Sequence, residues 1–504
     1  MTNKHNYLAF DLGAESGRAI VGTLADGKLT LTETLRFVNN PIMMPDGLHW
    51  DVQRLWSELK SGISTSVLKF DGILDGIGLD AWGVDFALLD EKDSLLATPF
   101  HYRDSRTDGM MDEAFRRMPR ESIFDQTGLQ FMQINTLYQL LAMVIGQSPL
   151  LNEARRLISI PDLFNYWLCG QIANEFTEAT TTQCFDPNKR DWAFPVLEAL
   201  GIPTHLFGPV TQPGTVLGSL LRNVTPDTEK MSIPVIAPAC HDTGSAVVAI
   251  PAEVKDFFWI SSGTWSIIGT EVKKPDFSPT TSTYNFTNEG GVFNTWRLSK
   301  NMMGLWLVQE CRRGWQHPGE NLSYDTLTNQ ASEARPFLAV IDPDDPKFLH
   351  SGNMPERIRQ YCESSGQPVP GNRGEIIRVI LESMALKYRW VIDRLETITR
   401  KQLSEIYIVG GGSKNQLLNQ FTADATNCTC IAGPVEATAA GNILMQSMAL
   451  GHIDSLADAR AVVRRSFDPK IYTPDRSTRL SWDASYLKME KVIKKVGGYL
   501  PLTG

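Results

Sequence analysis

No run in this 504-residue chain is both long and apolar enough to cross a bilayer as a helix, so a membrane-spanning protein is not expected. Positive charge is scarce too: 48 Lys and Arg stand against 57 Asp and Glu, a net charge of -9, which argues against neutralising a nucleic-acid backbone. Neither nucleic acid nor membrane is therefore an expected partner. Cysteine is thin, with 7 residues, scattered and odd in number. That excludes a disulfide framework and fits a reducing, cytoplasmic setting. The one close pair, Cys428 and Cys430, alternates with Thr429 in a strand-like stretch, so a metal site is not expected there. The motif G-x-x-x-x-G-K-[ST] is missing, so the chain is not a P-loop protein. A signal peptide is not expected either, because the first apolar run meets Asp11 almost at once.

What is present, 42% hydrophobic and 21% charged residues, is the balance of an ordinary globular protein. The length exceeds what one core organises, so two large domains or one duplicated domain are expected. A duplication is visible in the motifs. Tyr7 to Phe10 reads as a strand, Asp11-Leu12-Gly13-Ala14-Glu15-Ser16-Gly17-Arg18 as a turn, and Ala19 to Leu24 as a returning strand. Phe257 to Ile260, Ser261-Ser262-Gly263-Thr264 and Trp265 to Gly269 repeat that form. Small-residue turns let phosphate oxygens reach backbone N–H groups. Asp11, charged where the second turn has Ser261, suits a water-coordinated Mg²⁺ beside phosphates, although a plain surface hairpin has the same pattern. Just before the second hairpin, Asp242 sits in a His-Asp-Thr-Gly-Ser run between an apolar strand and an Ala/Val-rich helix. There it is a candidate general base beside donors that favour anions.

Between these points, Asp51 to Phe70 has helical spacing, and Ile73 to Leu89 reads as a strand and hairpin whose turn is Asp80 to Asp85. Trp82, Gly83 and two carboxylates in that turn fit a polyol site, and equally a core Trp beside a turn Asp. Residues 99–234 read as a large elaboration, with helices near Asp112 to Arg117 and Leu137 to Val144 and polar clusters that could face a substrate, although a charged run such as Arg103 to Arg106 is more often a solvated loop. Tyr284 to Ser299 reads as paired strands, and Asn301 to Gln309 as a helix with Asn301 near its N-cap, either as a cap alone or as a ligand contact. Pro318 to Pro370 reads as loop, and Glu375 to Thr399 as a long helix with one buried face. Ile406 to Val409, Gly410-Gly411-Gly412 and a helix capped by Ser413 then make a strand-glycine-helix crevice suited to a nucleotide. The next helix, from Glu436, is rich in small residues that permit close packing.

In this order the blocks resemble the actin-like ATPase superfamily and, within it, the FGGY carbohydrate kinases. PDLFNYWLCG, NEFTEATTTQCFDP, SSGTW and VGGGSKNQLLNQFTADAT carry the likeness over nearly the whole chain. DLGAESGR, DAWGVDFALLD, HYRDSRT, HDTGSA and NMMGLWLVQECRR are most similar to the branch that acts on L-rhamnulose. Ala14-Glu15 departs from the family's commoner Gly-Thr-Thr or Gly-Thr-Ser turn, leaving Ser16 and backbone N–H groups to meet phosphate.

The resemblance implies an α/β fold of two actin-like, ribonuclease H-like domains with a central cleft. Residues 1–250 would bind sugar and phosphate, and residues 251–504 the nucleotide. It implies ATP, Mg²⁺ and a small-molecule sugar, L-rhamnulose. Ala14, Glu15, Ser16, Gly17, Arg18 and Thr264 match phosphate positions, and Gln309 and Gly411 nucleotide positions. Gly83, His241, Asp242, Thr243 and Asn301 match sugar positions, with Asp242 as base and Asp11 acting through Mg²⁺ and its waters. Trp82 or Phe86 would meet the sugar's terminal methyl. Phosphoryl transfer asks mainly for alignment, charge neutralisation and a carboxylate that takes the hydroxyl proton, and these residues supply each. The alternatives are a kinase for another ketose, such as L-fuculose or L-xylulose, and a non-catalytic actin-like clamp driven by ATP.

Overall fold

The computed structural model describes residues 4–228, 231–254, 256–316 and 322–496. Two sheets organise these residues. In the first, β1 (His5–Leu12), β2 (Ser16–Ala25) and β3 (Lys28–Val38) run antiparallel, because tight turns join them. On its other edge β1 takes β4 (Gly76–Ala81) in parallel, reached through the Val52–Lys69 helix. β5 (Thr215–Ser219) and β6 (Pro234–Ala237) complete the order β5-β6-β4-β1-β2-β3. The second sheet repeats the plan. The hairpin of β7 (Phe258–Ser262) and β8 (Trp265–Val272) is extended by β9 (Thr287–Gly290) and β10 (Trp296–Met303). On the far side β7 pairs in parallel with β11 (Glu405–Val409), followed by β12 (Thr429–Ala432) and β13 (Lys470–Tyr472). The duplicated, two-domain α/β architecture expected from the sequence is thus what the chain adopts.

The central strands are buried on both faces, and alternation assigns each face to a different core. Leu8, Phe10 and Leu12 of β1 pack in the core of the first lobe, while Tyr7 and Ala9 join a core shared between the lobes. Likewise Phe258 and Ile260 of β7 face the second lobe's own core and Trp259 the shared one. Between the sheets lie the Asp242–Val248 and Ala437–Ala449 helices, supplying Ala246, Val247, Ala440 and Ile443 to the shared core. A fourth core, built around Phe124, Tyr138, Phe176 and Trp192, belongs to the elaboration on the first lobe.

Several local expectations are corrected. Asp80 to Asp85 is no hairpin turn: both edges of β4 are already taken by β1 and β6, so the chain leaves the sheet and Phe86–Leu89 pairs with Arg156–Ser159 instead. Asn301 is no helix cap, since β10 continues to Met303 along β8 and the helix starts only at Trp306. The cap before the Gln416–Thr426 helix is Asn415, whose side chain accepts from Leu418 N–H at 3.0 Å, while Ser413 Oγ donates to the Gly410 carbonyl. The expected loop from Pro318 to Pro370 holds two helices, Tyr324–Glu333 and Met354–Ser364; Pro318 itself lies outside the described residues. Arg103 to Arg106 is packed rather than solvated, with the Arg103 guanidinium 4.0 Å from the Trp306 ring centre and Asp104 buried.

The two helices of the shared core meet through Gly441, where an added methyl group would overlap the backbone carbonyl of Ser245. Gly441→Ala would gain up to about 1 kcal/mol of helix propensity but force the helices apart, at about 1–3 kcal/mol. A net loss of stability is expected in denaturant unfolding. An unchanged or raised midpoint would show that this contact does not constrain the pair.

Candidate active site

The two hairpins expected to hold phosphate face each other across one cleft of about 1470 Å³. That exceeds the roughly 300–1,000 Å³ of a typical single-ligand pocket and leaves room for two substrates side by side. Its floor is made where β1, β4 and the Asp242–Val248 helix end together. Asp11 and Asp80 are partners across the β1–β4 ladder, and Ala81 bridges to His241, which brings Asp242 to the same end. Asp80 is fully buried; burial and then the Asp11 charge push its carboxyl well above the usual range, although Asn442 Nδ2 donates to it at 2.6 Å. Arg18 pairs through one terminal nitrogen with Asp11 and through the other with Glu436 of the second lobe. The floor therefore gathers four carboxylates, Asp11, Asp80, Asp242 and Glu436, around one guanidinium.

Asp242 opens its helix, and about a third of its side chain faces the cleft. Burial, and further down the Asp11 charge, raise its carboxyl above an ordinary aspartate, against the lowering influence of His241 and Thr243. The backbone is fixed from behind: Cys240 N–H donates to Glu175 at 3.2 Å, His241 N–H to Thr177 Oγ1 at 3.0 Å, and Ser245 Oγ to the Ala239 carbonyl at 2.7 Å. His241 Nε2 lies 3.6 Å from Asp242 Oδ1, and Asn301 reaches the same wall from β10. The helix has only seven residues, so these held contacts, more than a helix dipole, fix the site.

On the first-lobe wall, Trp82 and Gly83 face the cleft together with Val84, Tyr102, Met132 and Ile134. Trp82 is set by Asp85, whose Oδ2 accepts from Trp82 Nε1 at 3.0 Å, Trp50 Nε1 at 2.5 Å and Tyr102 N–H at 3.2 Å, while Oδ1 accepts from Gln139 at 2.8 Å. Burial pushes the Asp85 carboxyl up to about 6, and the Gln139 and Trp donors hold it from rising further. Gly83 is pressed against the Thr181 side chain, so any Cβ there would displace the wall.

On the second-lobe side, Thr264 Oγ1 accepts from Gln309 Nε2 at 3.2 Å, tying the β7–β8 turn to the Trp306–Trp315 helix. Gly411 is open, with nothing within 4 Å of an added Cβ, and stands beside Asn415, Gln416 and Gln420 on the cleft wall. Glu15 crosses the cleft mouth to Arg313 at 3.2 Å.

Asp11, Ala14, Glu15, Ser16, Arg18, Gly83, His241, Asp242, Thr243, Thr264, Asn301, Gln309 and Gly411 all line this one cleft. Gly17 does not: its Cα faces the Phe37 ring, so it allows strand packing instead. Phe86 is also turned away, buried in the core of the elaboration, which leaves Trp82 as the aromatic face of the pair. Sequence reasoning missed Gln130, Glu289, Arg297 and Arg312. Gln130 meets Asn301 across 171 residues of chain, a pairing with no local signature. As for metal, among the described residues no cluster of three or more His, Cys, Asp or Glu forms a cage. The donor set instead suits Mg²⁺ held by one or two carboxylates plus phosphate and water, with Asp11 at the edge of an acidic floor.

Family models for the FGGY family of carbohydrate kinases match residues 6–249 (N-terminal domain) and 258–450 (C-terminal domain). The chain is 39% identical to a rhamnulokinase of Bacteroides thetaiotaomicron, over 97% of this chain and 100% of that one. It is 42% identical to the rhamnulokinase of Halalkalibacterium halodurans, over 93% and 98%. Among solved structures, gluconate kinase from Lactobacillus acidophilus superposes with a TM-score of 0.80 at 16% identity, covering 99% of each chain. Plasmodium falciparum glycerol kinase with ADP gives 0.74 at 16% identity, covering 98% of each. At such identity the structures speak for the fold alone.

Asp85→Ala strips acceptors from Trp50, Trp82, Tyr102 and Gln139 at once. Each buried donor left unpaired costs about 1–3 kcal/mol, so a loss of about 3 kcal/mol or more is expected in denaturant unfolding. A loss under about 1 kcal/mol would mean that Asp85 does not hold this wall.

Proposed function

Since the chain belongs to the FGGY family of carbohydrate kinases, we propose that it transfers the γ-phosphoryl of ATP to the 1-hydroxyl of L-rhamnulose, giving L-rhamnulose 1-phosphate and ADP. The observation that carries this reading is the convergence of Asp242, Thr264 and the β1–β2 turn on one two-substrate cleft. Rhamnulokinases that align over almost the full chain at 38–42% identity support the choice of sugar.

Asp242 acts as general base. Its fixed backbone holds the carboxylate where it takes the proton from the attacking hydroxyl as the oxygen–phosphorus bond forms. His241, Thr243, Asn301 and Gly83 hold the sugar against Trp82, whose flat apolar face suits the terminal methyl. The backbone of Ala14 to Ser16, with Arg18 and Thr264, meets the phosphates; Gln309 and Gly411 meet the nucleoside. Asp11 would hold Mg²⁺ through water, and that ion, when bound, neutralises charge on the β- and γ-phosphates. With no helix among the described residues long and apolar enough to cross a membrane, the reading includes action in the cytoplasm, where ATP is supplied.

Asp242→Asn keeps the shape but cannot take the proton, so turnover is expected to fall by about 10²- to 10⁴-fold with ATP binding retained. A coupled ADP-release assay at saturating L-rhamnulose measures this, and near wild-type turnover would remove Asp242 from the role. The raised Asp242 carboxyl also has a pH signature. Because the base works deprotonated, kcat/KM should fall as pH drops through a value above the ordinary aspartate range of about 3.9. An acid limb at or below that range would contradict the assignment. Across a panel of ketoses and polyols, L-rhamnulose should give the highest kcat/KM, with glycerol and D-xylulose far behind, because a site that binds each hydroxyl rejects misplaced ones strongly. Equal efficiency with glycerol would remove the sugar assignment and leave the kinase.

A further inference from the structure

The two ring nitrogens of His241 have different neighbours. Nδ1 faces Arg297 Nη2 at 3.0 Å, and Nε2 faces Asp242 Oδ1 at 3.6 Å. A guanidinium only donates, so Nδ1 presents a lone pair and the ring proton sits on Nε2. Glu289 Oε2 lies 3.4 Å from the same Nδ1, a separation that would suit a donation from His241 to Glu289. The Arg297 approach is the shorter and cannot be reversed, since a proton on Nδ1 would set two donors against each other at 3.0 Å, and Glu289 Oε2 has the Arg297 guanidinium 3.3 Å away to face instead, so the Nε2–H form is the consistent one. Arg297 is completely buried, and its Nε donates to the Gly290 carbonyl at 2.8 Å, which aims the fork at the histidine.

Glu289 has a second partner. Its Oε1 accepts from Asn301 Nδ2 at 3.2 Å. The Asn301 backbone is clamped by the Gln130 amide, which accepts from Asn301 N–H at 2.8 Å and donates to its carbonyl at 2.9 Å. With its amide nitrogen turned back onto Glu289, Asn301 has Oδ1 left for the cleft.

We infer that Arg297 and Glu289 are positioning residues that set the polarity of the sugar wall: Arg297 holds His241 as a donor through Nε2–H, and Glu289 holds Asn301 as an acceptor through Oδ1. The inference rests on the reading of His241 and Asn301 as sugar contacts. One fixed donor and one fixed acceptor favour a sugar whose hydroxyls match that order, and so separate stereoisomeric ketoses that an adaptable pair would accept alike.

The test uses the full-length enzyme and the double variant R297Q/E289Q, which removes both buried charges so that neither is left unpaired. Nitrogen-15 NMR of the histidine side chains reads the tautomer, with His241→Gln serving only to assign the signal. Steady-state kinetics with L-rhamnulose, L-fuculose and ATP read the function. The wild type should show His241 as the Nε2–H tautomer, and the double variant a mixture. In the variant kcat/KM for L-rhamnulose should fall about tenfold or more, the equivalent of one hydrogen bond to the sugar. Its preference over L-fuculose should narrow, with KM for ATP within about twofold. A wild-type Nδ1–H tautomer would overturn the inference even if the variant does not fold. So would a folded variant with unchanged tautomer and unchanged kcat/KM. If the wild type does not phosphorylate L-rhamnulose, the proposed function fails while the tautomer measurement still decides this point.

Discussion

The arrangement depends on charge crowding at the joint between the lobes. Asp11 and Asp80 stand side by side on paired strands, Asp242 ends in the same place, and Glu436 arrives from the other lobe, with Arg18 as the cation between Asp11 and Glu436. Burial raises the free energy of every charge there, and one guanidinium does not offset four carboxylates. The floor accommodates this by disfavouring ionisation of Asp80 and Asp242 and by tying the lobes together through Arg18. A cation arriving with a polyphosphate would complete the balance, so in the proposed function Mg²⁺ is a requirement of the acidic floor as much as of the chemistry.

The same joint explains why Asp242, the proposed base, is held firmly on a short helix. Asp242 begins a helix that packs through Ser245 on Gly441 of the Ala437–Ala449 helix, and both lie in the core shared by the sheets. Behind it, Glu175 and Thr177 pin the backbone at Cys240 and His241. A displacement of either lobe must therefore pass through these contacts, which links the geometry of Asp242 to the relative setting of the hairpins. Arg103, stacked on Trp306 and donating to the Leu349 carbonyl at 2.5 Å, adds another tie of the first lobe to the second.

Much of this was legible in the sequence because the signals are local. Strand-turn-strand runs at Tyr7 and Phe257, the heptad-like face of the Arg373–Thr399 helix and the glycine run at Gly410 each depend on neighbours in the chain. Errors arose where a third partner decided the outcome. Asp80 to Asp85 resembles a hairpin turn until β1 and β6 occupy both edges of β4, and Asn301 resembles a cap until β8 pairs with it on one side and Gln130 on the other. Ser323, Leu327 and Ala331 did carry a cap and an i, i+4 pair for the Tyr324–Glu333 helix, hidden among polar neighbours. Glu289 and Arg297 had no signal at all, since a buried ion pair beside a histidine 48 and 56 positions earlier exists only in the fold.

The central claim is that this cleft delivers the γ-phosphoryl of ATP to one hydroxyl, the one beside Asp242. It is tested most directly by identifying the product made from L-rhamnulose labelled with carbon-13 at position 1. The account predicts a single phosphate ester whose labelled carbon is split by phosphorus in the NMR spectrum, formed in equal amount to ADP. An ester on any other carbon, or inorganic phosphate in place of an ester, would contradict it.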